Sequence, residues 1–166
     1  EKLTGLSFVS QLPGDEFVIF RKGEISWKTV ICSEILYPGL VREGVEEARF
    51  IVNQSNEAWY RKGNLQEQMW IAARFRAAEN RRSILKAGNQ AFGGVIAPTG
   101  AELMKNHSRD LSTFPARLPL NGEGTLYQKW GDYPGFISAI VLVFSLLTKS
   151  FLNLRRKKSG REVRKF

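Results

Sequence analysis

The stretch from Tyr133 to Leu154 limits most strongly what this chain can fold into. About 22 residues there carry a single charge, Lys149, and as a helix they would span about 33 Å, enough to cross the hydrocarbon core of a bilayer. Ser138, Ser145, Thr148 and Ser150 can return hydrogen bonds to the helix backbone, and Lys149 lies near enough to the cationic end to snorkel. Arg155-Arg156-Lys157-Lys158 follows directly. The expectation is a domain over 1–132, one transmembrane helix over 133–154 and a basic cytoplasmic tail over 155–166, which puts the domain on the outer side of the membrane. The competing arrangement is a buried C-terminal helix of a soluble domain. Length, scarcity of charge and the basic stop favour the membrane.

The tail also explains the net charge of +9. Lys149, Arg155, Arg156, Lys157, Lys158, Arg161, Arg164 and Lys165 carry most of it, opposed in that region only by Glu162. Cations confined to a tail after an apolar run point to a membrane face and not to nucleic acid, where they would share a face with aromatic residues. One cysteine allows no internal disulfide, and one histidine far from it, His107, builds no metal site. No metal and no cofactor are expected.

Along the first 132 residues the pattern is that of an α/β layered domain. Phe17–Phe20 and Ile25–Ile31 read as a hairpin turning at Lys22-Gly23-Glu24. Leu40, Val41, Gly44, Val45 and Ala48 follow at helical spacing, with Pro38 tolerated in the first turn. Phe50-Ile51-Val52-Asn53 is a second buried strand and Leu65–Arg82 the clearest helix, in which Arg76 and Glu79 form an intrahelical bridge. Ser83–Ala87 and Gly93–Ile96 read as strands separated by a break at Gly88-Asn89-Gln90, and residues 97–101 as a hairpin turn. Residues 103–112 read as irregular, with His107 in solvent. The two prolines of Phe114–Leu120 place that extended segment at a sheet edge.

The β-branched run Thr29-Val30-Ile31 delivers the only cysteine, Cys32, to a turn, with Glu34 two residues on. A lone cysteine is more often a small buried hydrophobe than a nucleophile. A thiol where a buried strand gives way to a helix is nevertheless where nucleophilic cysteines are presented. The second strand ends in Asn53-x-x-Asn56-x-Ala58-Trp59-Tyr60, and if the two strands are neighbours their ends face one crevice.

These residues together resemble a known family. Cys32-Ser33-Glu34 resembles the Cys-x-Glu of the nitrilase (carbon–nitrogen hydrolase) superfamily, and Asn53-x-x-Asn56-x-Ala58-Trp59-Tyr60 its strand-end motif Ser-Asn-Asp-Ala-Trp-Phe. Gln68, Arg76-Ala77-x-Glu79 and Arg82 resemble its Arg-Ala-x-Glu helix, and Asn89 the Asn of an Asn-Thr-Gly turn. Thr125-x-Tyr127-x-x-x-Gly131-Asp132-x-Pro134, joined to an apolar helix and a basic tail, is similar to the C-terminal half of the apolipoprotein N-acyltransferase family. The resemblance covers roughly residues 15–158. It implies the C-terminal part of a nitrilase-like α-β-β-α sandwich on the periplasmic side of a bacterial inner membrane. It also implies a reaction in which a cysteine takes an acyl chain from a phospholipid as a thioester and hands it to the amine of a diacylglyceryl-cysteine lipoprotein. On that basis Cys32 is the nucleophile, the Ser33 backbone N–H an oxyanion donor and Glu34 the carboxylate that fixes the elbow. Asn56, Trp59 and Tyr60 are substrate-binding, the two rings forming the lipid-facing rim.

The chain departs from the family in places. Ser33 stands where the family has an aromatic residue and Ala91 where it has glycine. The family's catalytic Glu and Lys lie upstream of anything present, and Lys2, Lys22 and Lys28 do not match its lysine motif. A chain opening at Glu1 without methionine then reads as a fragment, with the N-terminal half of the same enzyme as its missing partner. The isolated 166 residues are expected to show no turnover. The alternatives are a nitrilase-type amidase acting on small amides and a non-catalytic, membrane-anchored remnant.

Overall fold

The computed structural model describes residues 14, 16–59, 64–106, 112–120 and 123–162, with side chains as far as residue 151. It divides into two compact units, Glu1–Gln128 and Lys129–Phe166.

The first unit is built on one mixed sheet of six strands lying side by side in chain order: β1 (Ile19–Lys22), β2 (Ile25–Ile31), β3 (Phe50–Asn56), β4 (Ser83–Asn89), β5 (Gly93–Ile96) and β6 (Glu102–Asn106). β2, β3 and β4 run parallel, while β1, β5 and β6 are antiparallel to their neighbours. Parallel neighbours require crossovers, and the one from β3 to β4 contains the helix α2 (Leu65–Asn80). Alternation along the parallel strands sends Val30, Ile51 and Ile84 into the core. There they meet Ile96, Ile35, Val41, Val45 and the α2 residues Met69, Trp70, Ala73 and Ala77. The α/β class expected from the sequence is the class observed.

The crossover from β2 to β3 departs from expectation. Helical spacing from Leu40 to Ala48 predicted one helix. The backbone instead makes a 3₁₀ turn at Cys32–Leu36, a short helix α1 (Pro38–Arg42) and a second 3₁₀ turn at Val45–Glu47. Gly44 breaks the run: its φ is +64°, and a side chain there would collide with the Phe17 ring. Val41, Val45 and Ala48 are buried all the same, so the apolar periodicity marks the buried face although the backbone is not one helix. Pro38 does occupy the first position of α1.

Other boundaries shift for local reasons. β1 begins at Ile19 and not at Phe17, and β3 continues to Asn56. β4 runs through the expected break as far as Asn89, and the turn falls at Gln90, whose φ is +49°. β6 (Glu102–Asn106) takes residues 103–106 from a stretch read as irregular, and His107 lies outside the described residues. Segment 114–120 pairs with no strand among the described residues. It crosses a sheet face, where Phe114, Ala116, Leu118 and Leu120 with Ile25, Phe50 and Leu85 enclose an apolar cavity of about 380 Å³. α2 stops at Asn80 because Arg81 turns left-handed. Arg82, almost fully buried, then donates to the carbonyls of Ala48 (2.6 Å) and Glu123 (2.8 Å). Burial pulls its pKa down against an opposing pull from Glu46.

The Thr125-x-Tyr127 segment has a structural explanation. Thr125 Oγ1 accepts from Gln128 N (3.0 Å), and Gln128 Oε1 accepts from Thr125 N (3.1 Å), a reciprocal capping box at the start of the short helix α3 (Leu126–Trp130). The same two side chains donate to Glu79 O and Asn80 O, the last carbonyls of α2.

In the second unit Gly131, at φ +59°, ends α3, and Asp132 O accepts from the N–H groups of Gly135 and Phe136 as the helix α4 (Tyr133–Glu162) begins. Pro134 falls in its first turn, where no N–H is needed. Tyr133–Phe151 is apolar, with a mean hydropathy of 1.7 and none of it buried in this chain. The helix continues through Arg155-Arg156-Lys157-Lys158. Ser138 and Ser145 return their hydroxyls to the carbonyls four residues back, as the sequence anticipated.

Candidate active site

Three parallel strands end side by side, and each ends in a residue of interest. Ile31 is in register with Gln54, and Asn56 with Asn89. The ends of β2 and β3 are therefore neighbours. Cys32, Ser33 and Glu34 leave the first, and Asn56 to Trp59 leave the second. Tyr60 lies outside the described residues.

Cys32 is half-buried against the apolar core, and its φ is +50°. A side chain in that region costs about 1–2 kcal/mol and persists only where neighbours over-determine it. Two groups hold it. Glu34 Oε2 accepts the N–H of Ile31 at 2.6 Å. From β3, the fully buried Asn53 donates its Nδ2 to the carbonyls of Val30 (3.2 Å) and Cys32 (3.4 Å), continuing the ladder with a side chain where β2 leaves the sheet. Ser33 is exposed. Among the described residues no side chain hydrogen-bonds to the Cys32 sulfur.

The strain at Cys32 makes a prediction. Cys32→Gly should leave stability unchanged or raise it by up to about 1 kcal/mol, because glycine adopts positive φ freely. Cys32→Val should cost about 2 kcal/mol or more, since a β-branched residue resists that conformation most. Chemical denaturation of the full chain in detergent micelles measures the difference. Equal effects would mean that the elbow is not strained.

Beyond β3, Asn56 Oδ1 accepts from Asn89 Nδ2 (3.2 Å) and from Ala58 N (3.3 Å), so the turn that follows is tied to the end of β4. Trp59 is 78% exposed there. Beneath it lies a cluster that the sequence reading passed over. Glu57 and Lys86 are both fully buried and paired at 2.5 Å, and Ser55 Oγ bridges them, donating to Glu57 (2.7 Å) and accepting from Lys86 (3.0 Å). A lysine within the otherwise apolar run Ile84–Ala87, facing the core, was the available signal. Its partner is distant in sequence, so spacing could not supply it.

On the edge side of β2 a second cavity, of about 500 Å³, is lined by Phe17, Phe20, Ile31, Leu40, Glu34 and Glu43, with Lys28 at its wall. Lys28 Nζ donates to the carbonyls of Leu40 (2.6 Å) and Glu43, closing the C-terminal end of α1, and sits over the Phe17 ring. Burial lowers its pKa from the usual 10.5, against opposing pulls from Glu43, Glu34 and Glu46. Below the lowered folded value both states hold the proton, and the cost of burying the ammonium is carried in full. Between that value and 10.5 the unfolded chain binds more protons, so stability rises with pH. Lys28→Met should remove that upward slope, measured as denaturation midpoints between neutral pH and pH 10.5; an unchanged slope would deny that Lys28 is its source.

No family model matches the chain. It is 29% identical over 152 residues to an apolipoprotein N-acyltransferase of Rickettsia bellii, covering 89% of this chain and 30% of that protein. To apolipoprotein N-acyltransferase 1 of Treponema pallidum it is 29% identical over 153 residues, covering 89% and 27%. The chain thus spans less than a third of the length of the curated relatives it matches. Among solved structures, an amidase from Nesterenkonia sp. has 18% identity and a TM-score of 0.49, covering 58% of this chain and 39% of its own. A Saccharomyces cerevisiae member of branch 10 of the nitrilase superfamily has 16% identity and a TM-score of 0.49, covering 58% and 38%.

Proposed function

We propose that this chain carries the nucleophile of an apolipoprotein N-acyltransferase, held at the inner membrane of a bacterium by α4, with the sheet domain periplasmic and the basic tail cytoplasmic. The observation that carries the proposal is the elbow. The only cysteine sits at positive φ where a parallel strand ends, clamped by Glu34 and Asn53, beside a strand that ends in Asn56 with Trp59 in the turn beyond it.

In the first half-reaction the Cys32 thiolate attacks the ester carbonyl of a phospholipid. The new S–C bond forms and the ester C–O bond breaks, and the thiol's proton passes through a general base to the departing glycerol oxygen, leaving a lysophospholipid. In the second, the α-amine of a diacylglyceryl-cysteine lipoprotein attacks the thioester. An amide forms, the C–S bond breaks, and a proton from the amine returns to sulfur. Each tetrahedral intermediate develops an oxyanion, for which the Ser33 N–H is one donor. By the family resemblance the base is a glutamate and the other donor a lysine, both supplied by the enzyme's N-terminal half. Trp59 forms the apolar rim against which the acyl chain lies, a role that the family resemblance extends to Tyr60.

The test uses the complete reading frame that contains this chain, in membranes supplied with phospholipid labelled in its acyl group. A label on the protein that hydroxylamine releases, and that falls to background in Cys32→Ala, is the expected result. No label on the unaltered protein, or a label that survives in Cys32→Ala, would overturn the proposal. Hydrolysis of small amides without acyl transfer would point to the amidase alternative.

A further inference from the structure

Glu57 and Lys86 are the two fully buried charges paired at the end of β3, and the acyl-transfer steps above assign them nothing. A buried ion pair is a poor source of net stability, because desolvating both groups offsets their attraction. What such a pair does supply is direction: it is favourable in one geometry and costly in others.

Here that geometry lies at the root of one turn. Glu57 N–H donates to Asn89 O at 2.9 Å, extending the β3–β4 ladder by one step beyond Asn56. Its carboxylate turns inward to Lys86 and Ser55. Two residues later Trp59 stands in the open. Only Ala58 separates a side chain with no exposure from a ring that is mostly exposed, and Ala58 N is itself held by Asn56 Oδ1. The direction in which Trp59 leaves the sheet is therefore fixed by where Glu57 is held. Gly88, in register with Ser55, lets the strands carry this cluster, since a Cβ at Gly88 would collide with the Ser55 carbonyl.

We propose that Glu57, Lys86 and Ser55 are positioning residues that aim Trp59 toward the Cys32 elbow, where it receives an alkyl chain bound for the thiol. This rests on the reading of Trp59 as acyl-contacting rim, and the experiment separates the two. Because Cys32 is the only cysteine, its alkylation in the full chain in detergent micelles can be followed with iodoacetamide and with N-octyl iodoacetamide. The quantity read is the ratio of the octyl rate to the parent rate. Trp59→Ala should lower the ratio about 3- to 10-fold, the effect of losing one aromatic contact. The apolar pair Glu57→Leu with Lys86→Met keeps the volume buried but not the orientation. It should lower the ratio as far as Trp59→Ala does, with the parent rate within about twofold of the unaltered chain. Glu57→Asp with Lys86→Arg, which shortens the acid and lengthens the base, should restore it.

A ratio lowered by Trp59→Ala but untouched in the apolar pair would overturn the positioning role and leave the rim in place. A ratio unmoved by Trp59→Ala would remove the rim itself and the positioning role with it. Should the apolar pair fail to fold by circular dichroism, Ser55→Ala takes its place. It breaks two bonds of the cluster without burying a lone charge, and a ratio equal to that of the unaltered chain would then overturn the role.

Discussion

Lys86→Met alone should destabilise the chain by about 3–5 kcal/mol, the range seen when one partner of a buried ion pair is removed. The reason is what it leaves behind. Glu57 has no exposure, and its Oε2 has no hydrogen-bond partner among the described residues even with Lys86 present. Without the ammonium, Ser55 Oγ is the side-chain donor that remains, and the carboxylate is left buried without the donors that replace its lost water. Glu57→Leu alone should cost a similar amount, because it strands the ammonium. The two losses should not add: Glu57→Leu with Lys86→Met should lie within about 1–2 kcal/mol of the unaltered chain, so the coupling recovered by the double variant is several kcal/mol. The pairs Arg21–Glu47 and Arg81–Glu123 are exposed at both ends, and cutting either should change stability by no more than about 1 kcal/mol. Denaturant midpoints of the full chain in micelles decide it. Single variants costing less than about 1 kcal/mol would mean that the pair is not buried in solution.

Part of this was legible in the sequence. β2 could be read to the residue because Ile25–Ile31 is bounded by a glycine turn and by the cysteine, and both boundaries are real. That the two strand ends face one crevice was made conditional on the strands being neighbours, and the parallel register of Ile31 with Gln54 makes them neighbours. The segment after Cys32 was harder. Its apolar residues recur every three or four positions, as on a helix, yet two 3₁₀ turns and the short α1, pivoting at Gly44, bury Val41, Val45 and Ala48. Periodicity reports the buried face and not the hydrogen-bond pattern. Glycine was the one hint that the two would part. The strained φ of Cys32 and the reach of Asn53 across to β2 are products of strand pairing, which spacing along one strand does not encode. The prolines of segment 114–120 rightly excluded it from the interior of the sheet, but a sheet has two faces as well as two edges, and the segment took a face.

Trp70→Ala should cost about 3–5 kcal/mol, as expected for emptying the space of a buried tryptophan, and its effect should reach the ends of β3 and β4. Trp70 is completely buried on α2 and meets Phe92 edge to face at 6.1 Å. Its indole N–H donates to Glu102 Oε1 at 2.9 Å, and Lys105 Nζ lies over both rings. One side chain thus ties α2 to β6 and to Phe92, which follows the β4–β5 turn. That turn begins where Asn89 holds Asn56 and Glu57, so its support from below bears on where Trp59 stands. Trp70→Phe keeps most of the apolar contact and loses the bond to Glu102. It should cost about 1–3 kcal/mol, the range for a deleted hydrogen bond with some lost packing. Denaturation measures the two costs. Hydrogen exchange at Asn89 and Glu57 tests the connection, with faster exchange expected at both amides in Trp70→Ala. Unchanged exchange there, together with the full loss of stability, would confine Trp70 to the core and separate the packing of α2 from the geometry of the site.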